Sequence, residues 1–585
     1  MKLIRLLARS IREYKKNAIL TPVYVSLEVV VDTLIPFTMT YLLKCFQGEG
    51  PLDLTPIFIY GGIIVALAFV ALLLGALSGM QCAIASSGFA RNLRKDMFYR
   101  IQTYSFNNLD KFSNASLITR MTTDVSFVQQ AFMMIIRIAV RSPLVLIFAV
   151  IMSVIIGGPM ALIYVGIIPF MAALLIIIFA NASKHFKKLF KKYDKLNNVV
   201  EENISGMRVV KSNVQEAYET EKFNETSQDI YKIFSKAQGI VVLTSPVMQL
   251  SMYTCITLIF YFGAHAILGE GILDLEELSA LITYAMQVLM SLMMLSMIFV
   301  QTVIAKSSAE RICEVLTETP DIVNPENAVA SVADGSIDFD GVSFKYDVKA
   351  ELNSLSDIDL HIKSGETIGV IGSTGSGKTT FVQLIPRLYD VTEGTLKVGG
   401  VKVSDYDIKA LRSSVAMVLQ KNVLFSGTVK ENLLWGKEDA TDEDIARALK
   451  ISESSEFIEK IGGLEAHVEQ AGANLSGGQR QRLCIARAII GNPKILIMDD
   501  STSAVDMATD MNIRKAFKDF MPDTTKIIIA QRVASVASCD RIVVMDGGRI
   551  NGVGTHDELM ENNVIYREVF ESQNNKGGDF DVVTN

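Results

Sequence analysis

Four windows without a single Asp, Glu, Lys or Arg, residues 54–90, 142–183, 237–269 and 278–305, constrain this 585-residue chain more than any other feature. A helix needs about 20 residues to cross about 30 Å of hydrocarbon. Each window therefore holds a span, and 142–183 is long enough for two, broken at Gly157-Gly158-Pro159. A sixth apolar stretch, about 18–43, is interrupted only by Glu28 and Asp32. The expected spans are about 18–43, 57–85, 138–157, 160–183, 238–266 and 278–305. Their even number puts both ends of the region on one side. Lys2, Arg5, Arg9, Arg12, Lys15 and Lys16 precede the first span and Lys184, Lys187, Lys188, Lys191 and Lys192 follow the fourth, so these ends face the cytoplasm. The turn holding Glu270, Asp274, Glu276 and Glu277 has no basic residue and fits the outside. These signs describe a multi-pass protein of the cell membrane with cytoplasmic N- and C-termini, its basic N-terminal stretch needing no cleavable signal.

Two interior connections, about 91–137 and 184–236, are rich in helix formers with mixed charge. They read as helical hairpins projecting into the cytosol, with tips expected near Ser113–Arg120 and Ser212–Tyr218, where small polar residues weaken the periodicity. Beyond about residue 320 charged and apolar residues mix as in an ordinary globular domain. The net charge of −7 argues against a nucleic-acid binder. Cys45, Cys82, Cys255, Cys313, Cys484 and Cys539 are scattered with no CxxC pair or disulfide pattern, and they read as small buried hydrophobes.

The soluble part declares its chemistry at Glu366–Ile385, ETIGVIGSTGSGKTTFVQLI. A buried strand runs into Gly372, Ser373, Thr374, Gly375, Ser376, Gly377, Lys378 and Thr379, with Thr380 opening an apolar helix. The glycines let successive backbone N–H groups turn inward around phosphate, Lys378 is suited to the β/γ-phosphates and Thr379 to Mg²⁺. ILIMD, ending in Asp499, is an apolar strand closing on a carboxylate suited to the same ion. Between them Leu475, Ser476, Gly477, Gly478 and Gln479 open a helix. This second phosphate-facing N-terminus is expected to cover the γ-phosphate of an ATP held by another chain.

Over about 335–572 the ordered motifs resemble the ATP-binding-cassette (ABC) ATPases. Preceded by six spans and two long hairpins, that segment resembles a half-transporter of the bacterial multidrug-exporter branch. The resemblance implies a membrane all-α six-helix exporter domain, residues 1–315, and a linker, 316–335. An α/β P-loop ABC ATPase domain follows over 336–572, with a RecA-like core, an antiparallel β element and a helical signature subdomain, and 573–585 form a flexible tail. It implies ATP and Mg²⁺ as cofactors. By position, it assigns Tyr346 to stacking on adenine, Gln420 to the Mg²⁺ and to sensing the membrane domain, and Ser503-Ala504-Val505-Asp506 to communication between sites.

Two departures set this chain apart. The residue after Asp499 should be a glutamate that orients the attacking water, and here it is Asp500; the switch histidine is replaced by Gln531. HVEQAGAN before the signature also departs, with Gln470 where glutamate is common. The expected protein is one subunit of a heterodimeric exporter. Its own ATP site hydrolyses slowly, its intact LSGGQ completes the site of a homologous half-transporter with Glu and His, and amphipathic drug-like molecules leave the cell. Lipid or peptide export is a close variant. An ATP-gated channel or regulator is the alternative from another class. Substrate candidates are Met286, Met290, Met293 and Met297, with Met294, on one face of the sixth span, and Glu28 and Asp32 in the first. Packing is the competing role for the methionines, and pairing with Arg137 or Arg141 for the acids.

Overall fold

The computed structural model describes residues 2–46, 54–270, 273–347, 350–500 and 505–575. Six of its helices are long and apolar enough to cross a membrane. The spans lie in Lys15–Lys44, Leu54–Gln102, Val125–Gly157, Leu162–Ser205, Thr244–His265 and Leu275–Thr317, and are called first to sixth below. Prolines 22, 36, 143 and 169 sit inside these helices, a use that membrane helices tolerate because neighbouring groups re-satisfy the freed carbonyls.

The chain folds into two compact units, Met1–Gln102 with Ser113–Glu318, and Thr103–Phe112 with Thr319–Asn585. Within the first, the third span stops at Gly158, whose φ of +48° a helix cannot continue. A side chain at the adjoining Gly157 would press on Leu281 at 2.7 Å, so glycine lets the third and sixth spans approach closely. Two fully buried tyrosines spend their hydroxyls on helix carbonyls, Tyr164 on Leu281 O at 2.7 Å and Tyr284 on Thr33 O at 2.8 Å. Away from the spans, Asp124 takes a charge-assisted contact from Arg311, and Arg120 donates to Glu314 at 2.8 Å.

The hairpins turn where local capping dictates. In the first, Ser105 caps the short helix Phe106–Asp110 and exchanges hydrogen bonds with Asn108, so the turn lies in Thr103–Phe112, ahead of the expected Ser113–Arg120. Ser113 instead caps a new helix, Asn114–Thr119, and Arg120–Asp124 continues it as a π turn. Small polar residues there begin the returning helix, which is why the weak periodicity misled. In the second hairpin the chain turns at 213–215, with Val214 at φ +53°, between Met207–Ser212 and Glu216–Val242.

The second unit is built on a six-stranded sheet in the order 549–554, 541–546, 367–372, 525–529, 495–499, 415–418, parallel except for the antiparallel edge 549–554. The strand Ile495–Asp499 is buried at all five positions, as a sheet covered on both faces requires. An antiparallel four-stranded sheet, in the order 355–362, 337–344, 393–398, 401–402, contributes Phe339, which stacks on Phe381 at 4.5 Å. A helical subdomain carries Asp442–Ile451, Ser455–Lys460 and Gly477–Ile489, packed through Ile445, Leu449, Phe457 and Leu483. The segment Thr103–Phe112 belongs to this unit: Asn107 Nδ2 donates to Asp321 at 2.6 Å and Asn108 Nδ2 to Thr319 O at 3.1 Å.

Candidate nucleotide site and membrane cavity

The loop after strand Thr367–Gly372 is shaped by backbone that only glycine tolerates. Gly375 and Gly377 have φ of +83° and +92°. A Cβ on Gly377 would meet Leu355 Cδ2 at 2.8 Å and Ser354 O at 2.9 Å, and one on Gly372 would meet Met545 O at 2.1 Å. Lys378 closes the loop by donating to Gly372 O at 2.8 Å and Ser373 O at 2.7 Å. Burial lowers its pKa, while Asp499 and Asp500 oppose that shift. A half-buried ammonium held by two carbonyls and, at 3.4 Å, by the Ser376 hydroxyl beside an open glycine loop is a fit for phosphate oxygens. Ser373, Thr374 and Gly375 are exposed along the loop, whereas Ser376 and Thr380 are buried beneath it.

Thr379 Oγ1 donates to Asp499 Oδ1 at 3.2 Å. Burial pushes the Asp499 carboxyl up and the Thr379 hydrogen bond pulls it down. A hydroxyl and a carboxylate at the mouth of a phosphate loop form a donor set that suits Mg²⁺. Gln420 stands apart: it is exposed, just past strand Val415–Val418, and makes no hydrogen bond to this pair among the described residues.

Tyr346 is 44% exposed, with its ring packed edge-on against Phe344 at 4.9 Å and Tyr389 at 5.1 Å. Its hydroxyl lies 3.0 Å from Thr380 Oγ1 and 3.2 Å from Gln383 Oε1, which ties the ring to the helix leaving the P-loop. Sequence reasoning missed Tyr389. Its hydroxyl donates to Asp110 at 2.7 Å and its ring meets Phe106 at 6.0 Å, so the aromatic cluster beside Tyr346 runs into the first hairpin's turn.

Asp500 has φ +50°, a conformation that aspartate tolerates better than most residues. Its Oδ2 accepts from Gln531 Nε2 at 2.7 Å, so the two unusual side chains satisfy each other. Burial raises the Asp500 carboxyl, and this hydrogen bond and Lys378 act the other way. A second residue that sequence reasoning missed braces the Gln531 loop: Gln573 Nε2 donates to Gln531 O at 2.8 Å, and its Oε1 accepts from Val533 N at 2.9 Å. Ser503 and Ala504 lie outside the described residues, as do 576–585 of the expected tail; Asp506 caps helix Met507–Phe520.

At the signature, Ser476 caps Gly477–Ile489. Its Oγ accepts from Gln479 N at 3.3 Å while Gln479 Oε1 accepts from Ser476 N at 2.9 Å, a reciprocal box that leaves the Gly477 and Gly478 end of the helix open. Leu475 is buried in the subdomain core. A groove of about 480 Å³ elsewhere on this unit is lined by Val415, Phe425, Trp435 and Arg487.

In the membrane unit the acids make the competing pairing with Arg141, while Asp32 also lines a cavity. Arg141 binds both, Asp32 at 2.8 Å and Glu28 at 3.4 Å, because a carboxylate inside a span is costly without a partner. A cavity of about 600 Å³ between the first, third and sixth spans is lined by Asp32, Met286, Met290 and Met294, together with Arg137 and Arg141, but not by Glu28. Met293 lines an adjoining cavity of about 650 Å³ with Met286 and Met290. Met297 lines neither; it is half exposed elsewhere on the sixth span.

Comparison with known proteins agrees with this geometry. Residues 19–292 match the family described as the ABC transporter transmembrane region, and 355–503 the ABC transporter family. The chain is 32% identical to the ATP-dependent lipid A-core flippase of Desulfotalea psychrophila over 489 residues, 83% of this chain and 84% of that one. It belongs to the ABC transporter family. This ABC transporter subunit is also 35% identical to the probable multidrug resistance ABC transporter ATP-binding/permease protein YheI of Bacillus subtilis over 407 residues, 69% of each chain. A bacterial Atm1-family ABC exporter with ATP bound shares the fold, with a TM-score of 0.82 at 21% identity over 96% of this chain and 99% of that one. As an ABC exporter subunit the protein is a multi-pass membrane protein that binds ATP and carries an ABC ATPase.

Proposed function

We propose that this chain is the slow-hydrolysing subunit of a heterodimeric exporter of amphipathic, drug-like small molecules. Its P-loop site binds Mg·ATP and turns it over slowly, while its signature helix completes the site of a homologous half-transporter that keeps the glutamate and histidine. The observation that carries this reading is the Asp500–Gln531 hydrogen bond of 2.7 Å at the two positions where ABC ATPases place those groups. Asp500 is one methylene shorter than glutamate and is already engaged by Gln531, a neutral amide that cannot carry the histidine's charge. General-base assistance is worth about 10²–10⁴-fold. A site lacking it retains ATP.

In this reading Tyr346 stacks on adenine and the P-loop N–H groups and Lys378 hold the phosphates. Thr379 and Asp499 would hold Mg²⁺, with Gln420 moving in to join them; when bound, the ion neutralises charge building on the β/γ-oxygens. Ser476, Gly477 and Gly478 face the partner's γ-phosphate, with Leu475 and Gln479 fixing that turn. Val505 and Asp506 belong, with Ser503 and Ala504, to the loop that links the two sites. The Phe425–Trp435 groove suits the partner's second hairpin. Both termini lie in the cytoplasm and the six spans cross the cell membrane. The methionine-lined cavity, whose thioethers adapt to varied apolar shapes, supports the small-molecule assignment, as does the likeness to a probable multidrug transporter.

The test is ATPase activity of the purified full chain, alone and after co-assembly with a complementary half-transporter. Little activity alone and restoration on assembly are expected. Full activity of the chain alone would overturn the assignment.

A further inference from the structure

The N-terminal segment is clamped at the level where the second span leaves the hydrocarbon. The charge-free window of that span closes at residue 90, and Arg91, Arg94, Lys95 and Asp96 follow on the same helix. Helix Lys2–Ala8 and the tight turn Arg9–Tyr14 precede the first span, and inside the turn Arg12 takes φ +41° and ψ −116°, a strained backbone that needs support. The second-span helix supplies it. Asp96 accepts from Ser10 Oγ at 2.7 Å and from Arg12 Nη2 at 2.6 Å, and Asn92 Nδ2 donates to Ser10 O at 3.1 Å and to Glu13 Oε2 at 3.3 Å. The Tyr14 ring occupies the space a side chain on Gly88 would need, since a Cβ there would lie 2.3 Å from it. The kinked segment is therefore held beside residues 88–96, at the depth of the lipid head groups.

The clamp uses up the acids within reach. Asp96 balances Arg12, and Glu13 lies within Coulombic reach of Arg91 and offsets it. Helix Lys2–Ala8 also packs on the sixth-span helix, whose acids are engaged elsewhere, Glu314 by Arg120 at 2.8 Å and Glu310 by Lys306 at 3.9 Å. Arg5, Arg9, Lys15 and Lys16 remain, exposed and without an ion pair among the described residues. Exposed apolar side chains stand beside them. Leu7 is turned into the protein, but Ile4 is 71% exposed next to Arg5, and Ile19 is 66% exposed one turn after Lys15. Such a surface suits a bilayer boundary, where isoleucines enter the acyl region and the long stems of Arg and Lys reach back to the head groups.

We propose that Arg5, Arg9, Lys15 and Lys16 form a binding site for anionic phospholipids, with the phosphates on these four cations and the acyl chains against Ile4 and Ile19. A guanidinium suits two phosphate oxygens at once and a lysine acts as a point charge, so the two arginines orient a head group that the two lysines attract. Cations this close to a leaflet each add to its attraction for anionic lipid. A soluble phosphate has no apolar part for Ile4 and Ile19 to meet. The site is separate from the methionine-lined cavity and holds whatever the protein exports and wherever ATP is cleaved.

The experiment uses the full chain in lipid nanodiscs, with Trp435→Phe removing its one tryptophan and Ile4→Trp placing a reporter in the site. Quenching by phosphatidylglycerol with brominated acyl chains is compared with quenching by phosphatidylcholine carrying the same chains, each as a minor component of unbrominated phosphatidylcholine. The anionic lipid is expected to be enriched about threefold or more around the reporter, read as stronger quenching, and high salt should bring the two lipids to parity. Phe69→Trp, exposed in the charge-free part of the second span, should be quenched equally by both. Arg5→Gln, Arg9→Gln, Lys15→Gln and Lys16→Gln together should abolish the preference at position 4 while quenching itself persists. The comparison with all four cations present decides the matter even if that variant fails to fold. Equal quenching by the two lipids at position 4, the same preference at position 69, or a folded four-fold variant that keeps the preference overturns the proposal. Absence of quenching by either lipid also overturns it and fits a patch covered by an acidic protein. Loss of the preference on adding millimolar glycerol phosphate at constant ionic strength overturns the lipid assignment in favour of a soluble phosphate.

Discussion

Replacing Gln573 with Ala removes two hydrogen bonds that brace the loop carrying Gln531, one to Gln531 O at 2.8 Å and one from Val533 N at 2.9 Å. Each such bond contributes about 0.5–1.5 kcal/mol net. Because Gln573 is partly exposed, water replaces part of what is lost, and the expected cost is about 1–2 kcal/mol of local order. Val533 N is the reporter. Its amide should exchange with deuterium about 5–30 times faster in Gln573→Ala, while Ile527, in the buried strand Thr525–Ile529, keeps its protection. Gln573→Glu retains the acceptor for Val533 N and loses the donor to Gln531 O, so its effect on Val533 should be smaller. With its anchor gone, Gln531 should also bind Asp500 less persistently, and ATP in this site should dissociate faster. Unchanged exchange at Val533 would refute the bracing role; equal acceleration at Ile527 would show general destabilisation instead.

Three further outcomes follow from the geometry. Ser476→Arg puts bulk at the open start of the signature helix and should cut turnover of the assembled transporter by about tenfold or more, whereas Asp500→Asn should change it by less than about twofold, measured as steady-state phosphate release. Arg141→Met leaves Glu28 and Asp32 unpaired. It should cost about 2–3 kcal/mol, below the range for fully buried pairs because Arg141 and Asp32 are partly exposed, and adding Glu28→Gln with Asp32→Asn should recover most of that loss in unfolding experiments. Burial depresses the Lys378 pKa in the free site and bound phosphate restores it, so nucleotide affinity is full below the free-site pKa. Affinity should decline as pH rises through that value, before the ordinary lysine pKa of 10.5, and binding isotherms of Lys378→Met should lack this decline.

What the sequence shows directly is chemistry that depends on neighbours in the chain. The P-loop needs glycines at fixed offsets, and Gly375 and Gly377 take the positive φ that such a loop demands. The signature reads from Ser476 and Gln479, whose reciprocal cap is a local contact. The break between the third and fourth spans reads from Gly157-Gly158-Pro159 for the same reason. Contacts between distant segments stayed hidden. Gln573 reaches Gln531 across 42 positions and Asp110 reaches Tyr389 across 279, with no periodicity to announce either. The first hairpin was displaced because Ser113 ends one pattern and begins another, and a cap looks the same from both sides. The methionine stripe was visible as a helical face, but which members line a cavity depends on neighbouring spans, and Met297 has none there.

The most direct test of the account is single-turnover hydrolysis of ATP in the assembled heterodimer, with the partner's glutamate neutralised so that only this chain's P-loop site remains available for chemistry. Binding near normal and cleavage slower by about 10²–10⁴-fold than at a competent site are predicted. Asp500→Glu should recover part of the rate, and Asp500→Glu with Gln531→His more. Rapid cleavage by the unmodified chain would contradict the claim that Asp500 and Gln531 make this a site that holds ATP.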